Sequence, residues 1–267
     1  MRCQDSQCQT EITWFRAKVL RQPGYYLESN WYCSSGCLEK GLSQVLDKYS
    51  QPKERSFQNL LRLKLGHILM ENGVITKEQL DQAIAEQHRD QEEKLGRYLI
   101  ALGFVKERDI TMALSRQFSL PVITLKSQKI NPGVLGMVPV EIVRDSRFFP
   151  LEYDVPNNRL VLVTCDPSDI STIINLRSMI NCEVAIYLSD ESVVLEMIDQ
   201  YCALATDSRK LESRLPQPRD LGEVATQIVR RAQQINARSL RVRLFNQLVW
   251  TRFVVEREQH DLVLSAA

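Results

Sequence analysis

Residues 64–87 and 94–117 carry one motif twice, thirty positions apart. The first copy is Lys64-Leu65-Gly66-x-x-Leu69-x-x-x-Gly73 closing at Gln87, and the second is Lys94-Leu95-Gly96-x-x-Leu99-x-x-x-Gly103 closing at Gln117. Seven positions are identical, counting Ala83 with Ala113, where average composition supplies roughly one or two. The segment is a duplication, and its local fold is set by what one copy can form.

Each copy reads as a helical hairpin. In the first, Leu65 and Leu69 recur at helical spacing, Gly73 sits where a helix closes in the left-handed region, and Thr76 with Gln79 has capping-box spacing before Leu80, Ala83 and Ile84. The second repeats this with Leu95, Leu99, Gly103, Ile110, Ala113 and Leu114, but with Lys106, a poor cap, where Thr76 stood. The leucines and the two closing glycines need no more than a core stripe and a helix stop to explain them. Gly66 and Gly96 need a further reason, because glycine at the start of a helix costs about 1 kcal/mol against alanine. Close approach of a ligand to backbone N–H groups is one such reason. Gln87 and Gln117 end apolar stripes with an amide that suits a base edge or a solvated helix end.

With these tandem motifs, residues 58–125 resemble the N-terminal domain of type II secretion and type IV pilus assembly ATPases, the MshE-type N-terminal domain. The resemblance continues to residue 204 through Pro121-Val122-Ile123-Thr124-Leu125, Phe149-Pro150-Leu151, the run Arg159 to Pro167, and Glu183 to Leu188. It implies that the two copies together bind one cyclic-di-GMP, each holding about half of the two-fold symmetric dinucleotide. Carried over by position, Leu65, Leu69, Leu80, Ile84, Leu95, Leu99, Ile110 and Leu114 would form an apolar floor. Gly66 and Gly96 would give close phosphate approach, and Gln87 and Gln117 guanine hydrogen bonds. Asp166 lies in a loop that the family sets against the repeat domain, where it would face the ligand or simply shape its turn.

The chain departs from the family pattern at the motif heads. Arg is usual there, and its guanidinium stacks on guanine; Lys64 and Lys94 are compact charges that cannot. Arg62 offers a substitute plane on one side, whereas its counterpart is Glu92, and the spacer from His88 to Glu93 is one residue longer than usual. Weakened nucleotide affinity is the expectation.

Cysteine usage marks a different chemistry at the N-terminus. Cys3, Cys8, Cys33 and Cys37 are spaced C-x4-C, 24 residues, C-x3-C, with Trp14, Tyr25, Tyr26, Leu27, Trp31 and Tyr32 alternating like short strands between them and a turn at Gln22-Pro23-Gly24. In a reducing compartment this favours a zinc ribbon over disulfides or unligated thiols. Cys165, Cys182 and Cys202 read as small core residues.

The fold class expected is α+β, with five segments. These are a zinc-ribbon-like segment (1–50), the duplicated helical domain (51–125), a small α+β domain (126–204), a linker (205–220), and a short α/β remnant (221–267) of the domain that leads into the secretion ATPase motor. Ser168 and Ser189 are the expected caps of the two helices in the α+β domain. The linker carries Arg209, Lys210, Arg214 and Arg219 with Pro216 and Pro218. In the remnant, 221–235 is helical in spacing, and 239–245 and 248–255 alternate like strands.

No G-x-x-x-x-G-K-[ST] phosphate loop, H-E-x-x-H or G-x-S-x-G occurs, so an enzyme is not expected. The longest aliphatic stretches are far too short for a membrane span and no secretory signal opens the chain, which makes the cytoplasm the expected compartment. A net charge of +1 gives no general pull toward nucleic acid. The reading is a cyclic-di-GMP-responsive regulatory or adaptor protein with a partner in a secretion, pilus or surface-associated pathway. A docking module that binds no nucleotide is the first alternative. A zinc-ribbon nucleic-acid regulator is the second, drawing on Arg16, Lys18 and Arg21 and on Arg230, Arg231, Arg238, Arg241 and Arg243.

Overall fold

The computed structural model describes residues 1–13, 24–50, 64–90, 93–125, 130–168, 170–208, 220–256 and 258–265. Arg62, Glu92, the basic residues of 14–23 and most of the expected linker lie outside them. In chain order the elements are β1 (Tyr25–Leu27), β2 (Asn30–Tyr32), α1 (Ser35–Ser50), α2 (Leu65–Glu71), α3 (Lys77–Asp90), α4 (Leu95–Ala101), α5 (Glu107–Phe118), α6 (Val140–Asp145) and β3 (Phe148–Asp154). There follow β4 (Arg159–Thr164), α7 (Ile170–Ile180), β5 (Glu183–Leu188), α8 (Glu191–Ser208), α9 (Leu221–Gln234), β6 (Ser239–Phe245), β7 (Leu248–Val255) and β8 (Glu258–Ser265). The chain divides into two compact units: Met1–Lys53 with Ser171–Asn181 and Lys210–Ala267, and Glu54–Ile170 with Cys182–Arg209.

The first unit is built on a five-stranded sheet of order β2-β1-β6-β7-β8. The pairing is antiparallel except between β1 and β6, which run parallel with Tyr26 opposite Ser239 and Leu27 opposite Leu240. Segments 1–50 and 221–267, set apart in the sequence reading, therefore share one sheet and one core, in which Cys3, Leu27 and Leu38 join Val224, Leu240 and Phe253. Strand β7, paired on both sides by β6 and β8, is buried from Val249 to Phe253 because both its faces are covered. On β6, Leu240 and Val242 are fully buried, and the arginines alternating with them are used within the unit. Arg241 donates to the Ser178 carbonyl at 3.3 Å, and Arg243 pairs with Glu28.

Two elements of this unit were not read from the sequence. Helix α1 carries Leu38, Leu42 and Leu46 at four-residue spacing, all 0% exposed, and β8 pairs along β7 from Glu258 to Ser265. Helix α7, which the sequence reading kept within the α+β domain, belongs to this unit, where the Asn175 amide donates to the Leu244 carbonyl at 2.8 Å.

The second unit holds the duplicated hairpins and a three-stranded sheet, β3-β4-β5, antiparallel then parallel. The expected strand at 121–125 is a single bridge of Val122 to Leu188. Helix α8 begins at Glu191, one residue later than a Ser189 cap requires, and runs to Ser208, into the expected linker. The buried Tyr201 hydroxyl on α8 donates to the Val138 carbonyl at 2.8 Å. Among the described residues no helix is long and apolar enough to cross a membrane.

Candidate functional site

Both hairpins close as their sequences dictate. Gly73 and Gly103 have φ of +68° and +73°. In each copy the glycine N–H and the next N–H reach back into the helix: Gly73 to Met70 and Val74 to Leu69, Gly103 to Ile100 and Phe104 to Leu99. That is a Schellman closure, repeated. No atom would lie within 4 Å of a Cβ at Gly103, so Gly103→Ala should lower the unfolding free energy through backbone strain alone, by about 1–2 kcal/mol; urea unfolding checks this. The Thr76 hydroxyl accepts from Gln79 N–H at 3.3 Å while the Gln79 amide accepts from Thr76 N–H at 2.9 Å, the full capping box. In the second copy only the returning half is made by a side chain: Asp109 accepts from the Lys106 N–H at 2.8 Å, as Gln79 does from Thr76, while the Lys106 side chain offers no acceptor.

The two copies interlock. Helix α2 packs on α5 and α3 on α4, so the first helix of each copy lies against the second helix of the other. One core results, built from Ile68, Leu69, Leu80, Ala83, Leu99 and Ala113. This reciprocal packing sets Leu65 of the first motif against Gly96 of the second: a Cβ at Gly96 would lie 3.7 Å from Leu65 Cδ2.

The expected ligand residues divide by burial. Leu69 and Leu99 are 0% exposed and Leu80 is 7% exposed, which makes them core. Leu65, Leu95, Ile84, Ile110 and Leu114 are half-buried, and Lys64 and Lys94 are exposed. Gly66 and Gly96 have a packing reason, since a Cβ at Gly66 would meet Leu80 Cδ1 at 2.6 Å and one at Gly96 would meet Ile110 Cγ2 at 3.3 Å. The Gln87 amide donates to the Glu93 carbonyl at 3.1 Å, tying the end of α3 to the entry of α4; Gln117 is half-buried near the end of α5.

The second copy is tied to the α+β half of its unit. Lys94 pairs with Asp166 and donates to the Ser168 hydroxyl at 2.9 Å. Arg97 and Arg147 share Glu191, Thr111 donates to Asp190 at 2.6 Å, and Glu107 accepts from the Ser192 hydroxyl at 2.7 Å. The sequence reading set the Asp166 loop against the repeat domain but did not find the side chains that join them, although their signal is visible. Apart from Lys94, which matches Lys64, the positions concerned differ in charge or polarity between the copies, with His67, Lys77 and Asp81 standing where Arg97, Glu107 and Thr111 do.

Burial raises the Asp166 pKa, but the bonds from Lys94 and Ser168 outweigh it and hold the carboxyl below its ordinary value of 3.8. The contribution of this contact is therefore present above that value and lost as pH falls through the depressed folded pKa. Following the Asp166 carboxyl by NMR should show a midpoint below 3.8, moved upward by Lys94→Ala. An unmoved midpoint would mean that the lysine does not hold it.

At the N-terminus the four expected cysteines meet. The Sγ atoms of Cys3, Cys8, Cys33 and Cys37 all lie within 4.8 Å of one another, and all four thiols are free. Cys3 and Cys8 sit on a tight loop closed by Cys3 N–H to Thr10 and Cys8 N–H to Asp5, Cys33 follows β2, and Cys37 is in the first turn of α1. Hydrogen bonds with the Thr10 side chain and backbone lower the Cys8 thiol pKa, whereas burial raises that of the neighbouring Cys33.

Residues 118–208 match the family model described as the MshEN domain. Over 140 residues, 52% of this chain and 24% of the relative, the sequence is 28% identical to the type IV pilus assembly ATPase PilB of Myxococcus xanthus. Over 132 residues, 49% of this chain and 15% of the relative, it is 25% identical to the type IV pilus assembly ATPase PilB of Thermus thermophilus. The chain thus spans a quarter or less of the length of these relatives. Among solved structures, one of MshE with cdg aligns at 27% identity and a TM-score of 0.47, covering 52% of this chain and 99% of that one. The N-terminal domain of XpsE aligns at 18% identity and a TM-score of 0.44, covering 56% and 98%.

Proposed function

We propose that this chain, which carries an MshEN domain over residues 118–208, is a non-enzymatic regulatory or adaptor protein. Its duplicated hairpins bind one cyclic-di-GMP, and it acts in the cytoplasm with a protein partner of a secretion, pilus or surface-associated pathway. The observation that carries the reading is the reciprocal packing of the two copies, with an exposed lysine at the head of each. A pseudo-two-fold pair of cations suits a two-fold dinucleotide with two phosphates, and the half-buried Leu65, Leu95, Ile110 and Leu114 remain available to apolar contact.

The docking alternative draws on the glycines, since Gly66 and Gly96 have packing reasons that need no ligand. The nucleic-acid alternative loses support from its C-terminal arginines. Arg241 and Arg243 are engaged within the first unit, and Arg238 lies 5.2 Å over the Tyr25 ring. Equilibrium dialysis of the intact protein against labelled cyclic-di-GMP separates the readings. Retention displaced by unlabelled cyclic-di-GMP and not by GMP is expected; no retention at millimolar nucleotide would leave the docking module.

A further inference from the structure

We propose that Cys3, Cys8, Cys33 and Cys37 hold one zinc ion as a tetrathiolate, and that this ion fastens the N-terminal hairpin to the C-terminal strands of the first unit. The distances carry the first half. Cys8 and Cys33 Sγ are 3.6 Å apart and Cys33 and Cys37 Sγ 3.7 Å apart, and a tetrahedral site with Zn–S bonds of about 2.3 Å sets its sulfurs about 3.8 Å apart. With all four sulfurs inside 4.8 Å, the site is sized for a single ion. A donor set of four soft thiolates in a closed shell selects zinc in a structural role.

The second half follows from where the ligands sit. Cys3 is 4% exposed and lies in the same buried cluster as Leu240, Val242 and Phe253. The Gln4 N–H donates to the Trp31 carbonyl at 3.0 Å, which locks the cysteine loop to β2. From there β1 reaches β6 through a register of only two residue pairs. Further ties among the described residues include Tyr26 N–H to the Arg238 carbonyl, Glu28 N–H to the Leu240 carbonyl, and the Glu28 carboxylate accepting from Val242 N–H at 3.2 Å and from Arg243. Beside the shared core, a rigid hairpin keeps this short strand in register with β6. The metal supplies that rigidity, because its ligands come from before β1, after β2 and the start of α1. Removing it frees the β1–β2 hairpin and opens the edge of β6. The disturbance therefore crosses from residues 1–37 to residues 239–245.

The test is metal analysis of the intact protein purified without chelator, followed by hydrogen exchange before and after zinc removal. The account expects about one zinc per chain and accelerated exchange in both β1–β2 and β6 on removal, reversed when zinc is restored, with β3–β4 unchanged. Substoichiometric zinc, or iron in its place, would overturn the metal assignment. Exchange confined to residues 1–37 would overturn the fastening. Because a cysteine variant can fail to fold, cobalt-loaded wild type gives an independent readout: tetrahedral thiolate absorption is expected, and its absence counts against the site.

Discussion

Asp261→Ala should cost the first unit about 3–5 kcal/mol, the range found when one partner of a buried ion pair is removed. Arg252 and Asp261 face each other across β7 and β8 with side chains only 6% and 12% exposed. Their contact is two-pronged, Nε to Oδ1 at 2.7 Å and Nη2 to Oδ2 at 2.9 Å. The same Oδ1 accepts from the fully buried Trp250 indole N–H at 3.0 Å, and the guanidinium lies 4.7 Å over the Trp250 ring. Alanine leaves a buried cation and an indole donor together without their acceptor. Asp261→Asn keeps the shape and one acceptor and should cost less. Urea unfolding read by tryptophan fluorescence would show the midpoint falling in that order. A loss under about 1 kcal/mol for the alanine variant would mean that water reaches the arginine after all.

The second large effect concerns the motif heads. Replacing both Lys64 and Lys94 with Arg should tighten cyclic-di-GMP binding, because a planar guanidinium can stack on guanine as well as neutralise phosphate. A base stacked on a side chain is worth about 1–3 kcal/mol, so the gain is roughly five-fold or more. Replacing both with Ala should abolish measurable binding. The two positions are not equivalent, since Lys94 already serves Asp166 and Ser168 whereas Lys64 has no side-chain partner among the described residues. Gly66→Val is a poor probe of the ligand because any Cβ there meets Leu80; it tests packing instead. Unchanged affinity in the double Arg variant would remove the lysines from the site.

The duplication was legible because it rests on local rules: a left-handed glycine at each helix close, a capping box, and leucines at helical spacing. Each of these appears at the residue that encodes it. The four cysteines were legible for the same reason, since few roles require that residue type at such spacing. What could not be read was anything depending on contacts distant in sequence. The parallel pairing of β1 with β6 joins residues more than two hundred apart, and no periodicity in either strand announces it. The transfer of α7 to the first unit rests on contacts such as Asn175 with Leu244, which sequence order hides. Gly66 and Gly96 show the limit within the site: the need for a reason was visible, but whether a ligand or a neighbouring helix supplies it depended on where Leu80 and Ile110 lie. Helix α1 was within reach, since Leu38, Leu42 and Leu46 carry the period, but the cysteine pattern drew the reading toward strands.

The central claim is that two interlocked copies make one site for one two-fold ligand. Calorimetric titration of the intact protein with cyclic-di-GMP tests it most directly through the stoichiometry. The account predicts saturating heat at one ligand per chain, weakened by either Lys64→Ala or Lys94→Ala. Two independent ligands per chain, or heat that neither substitution alters, would contradict it.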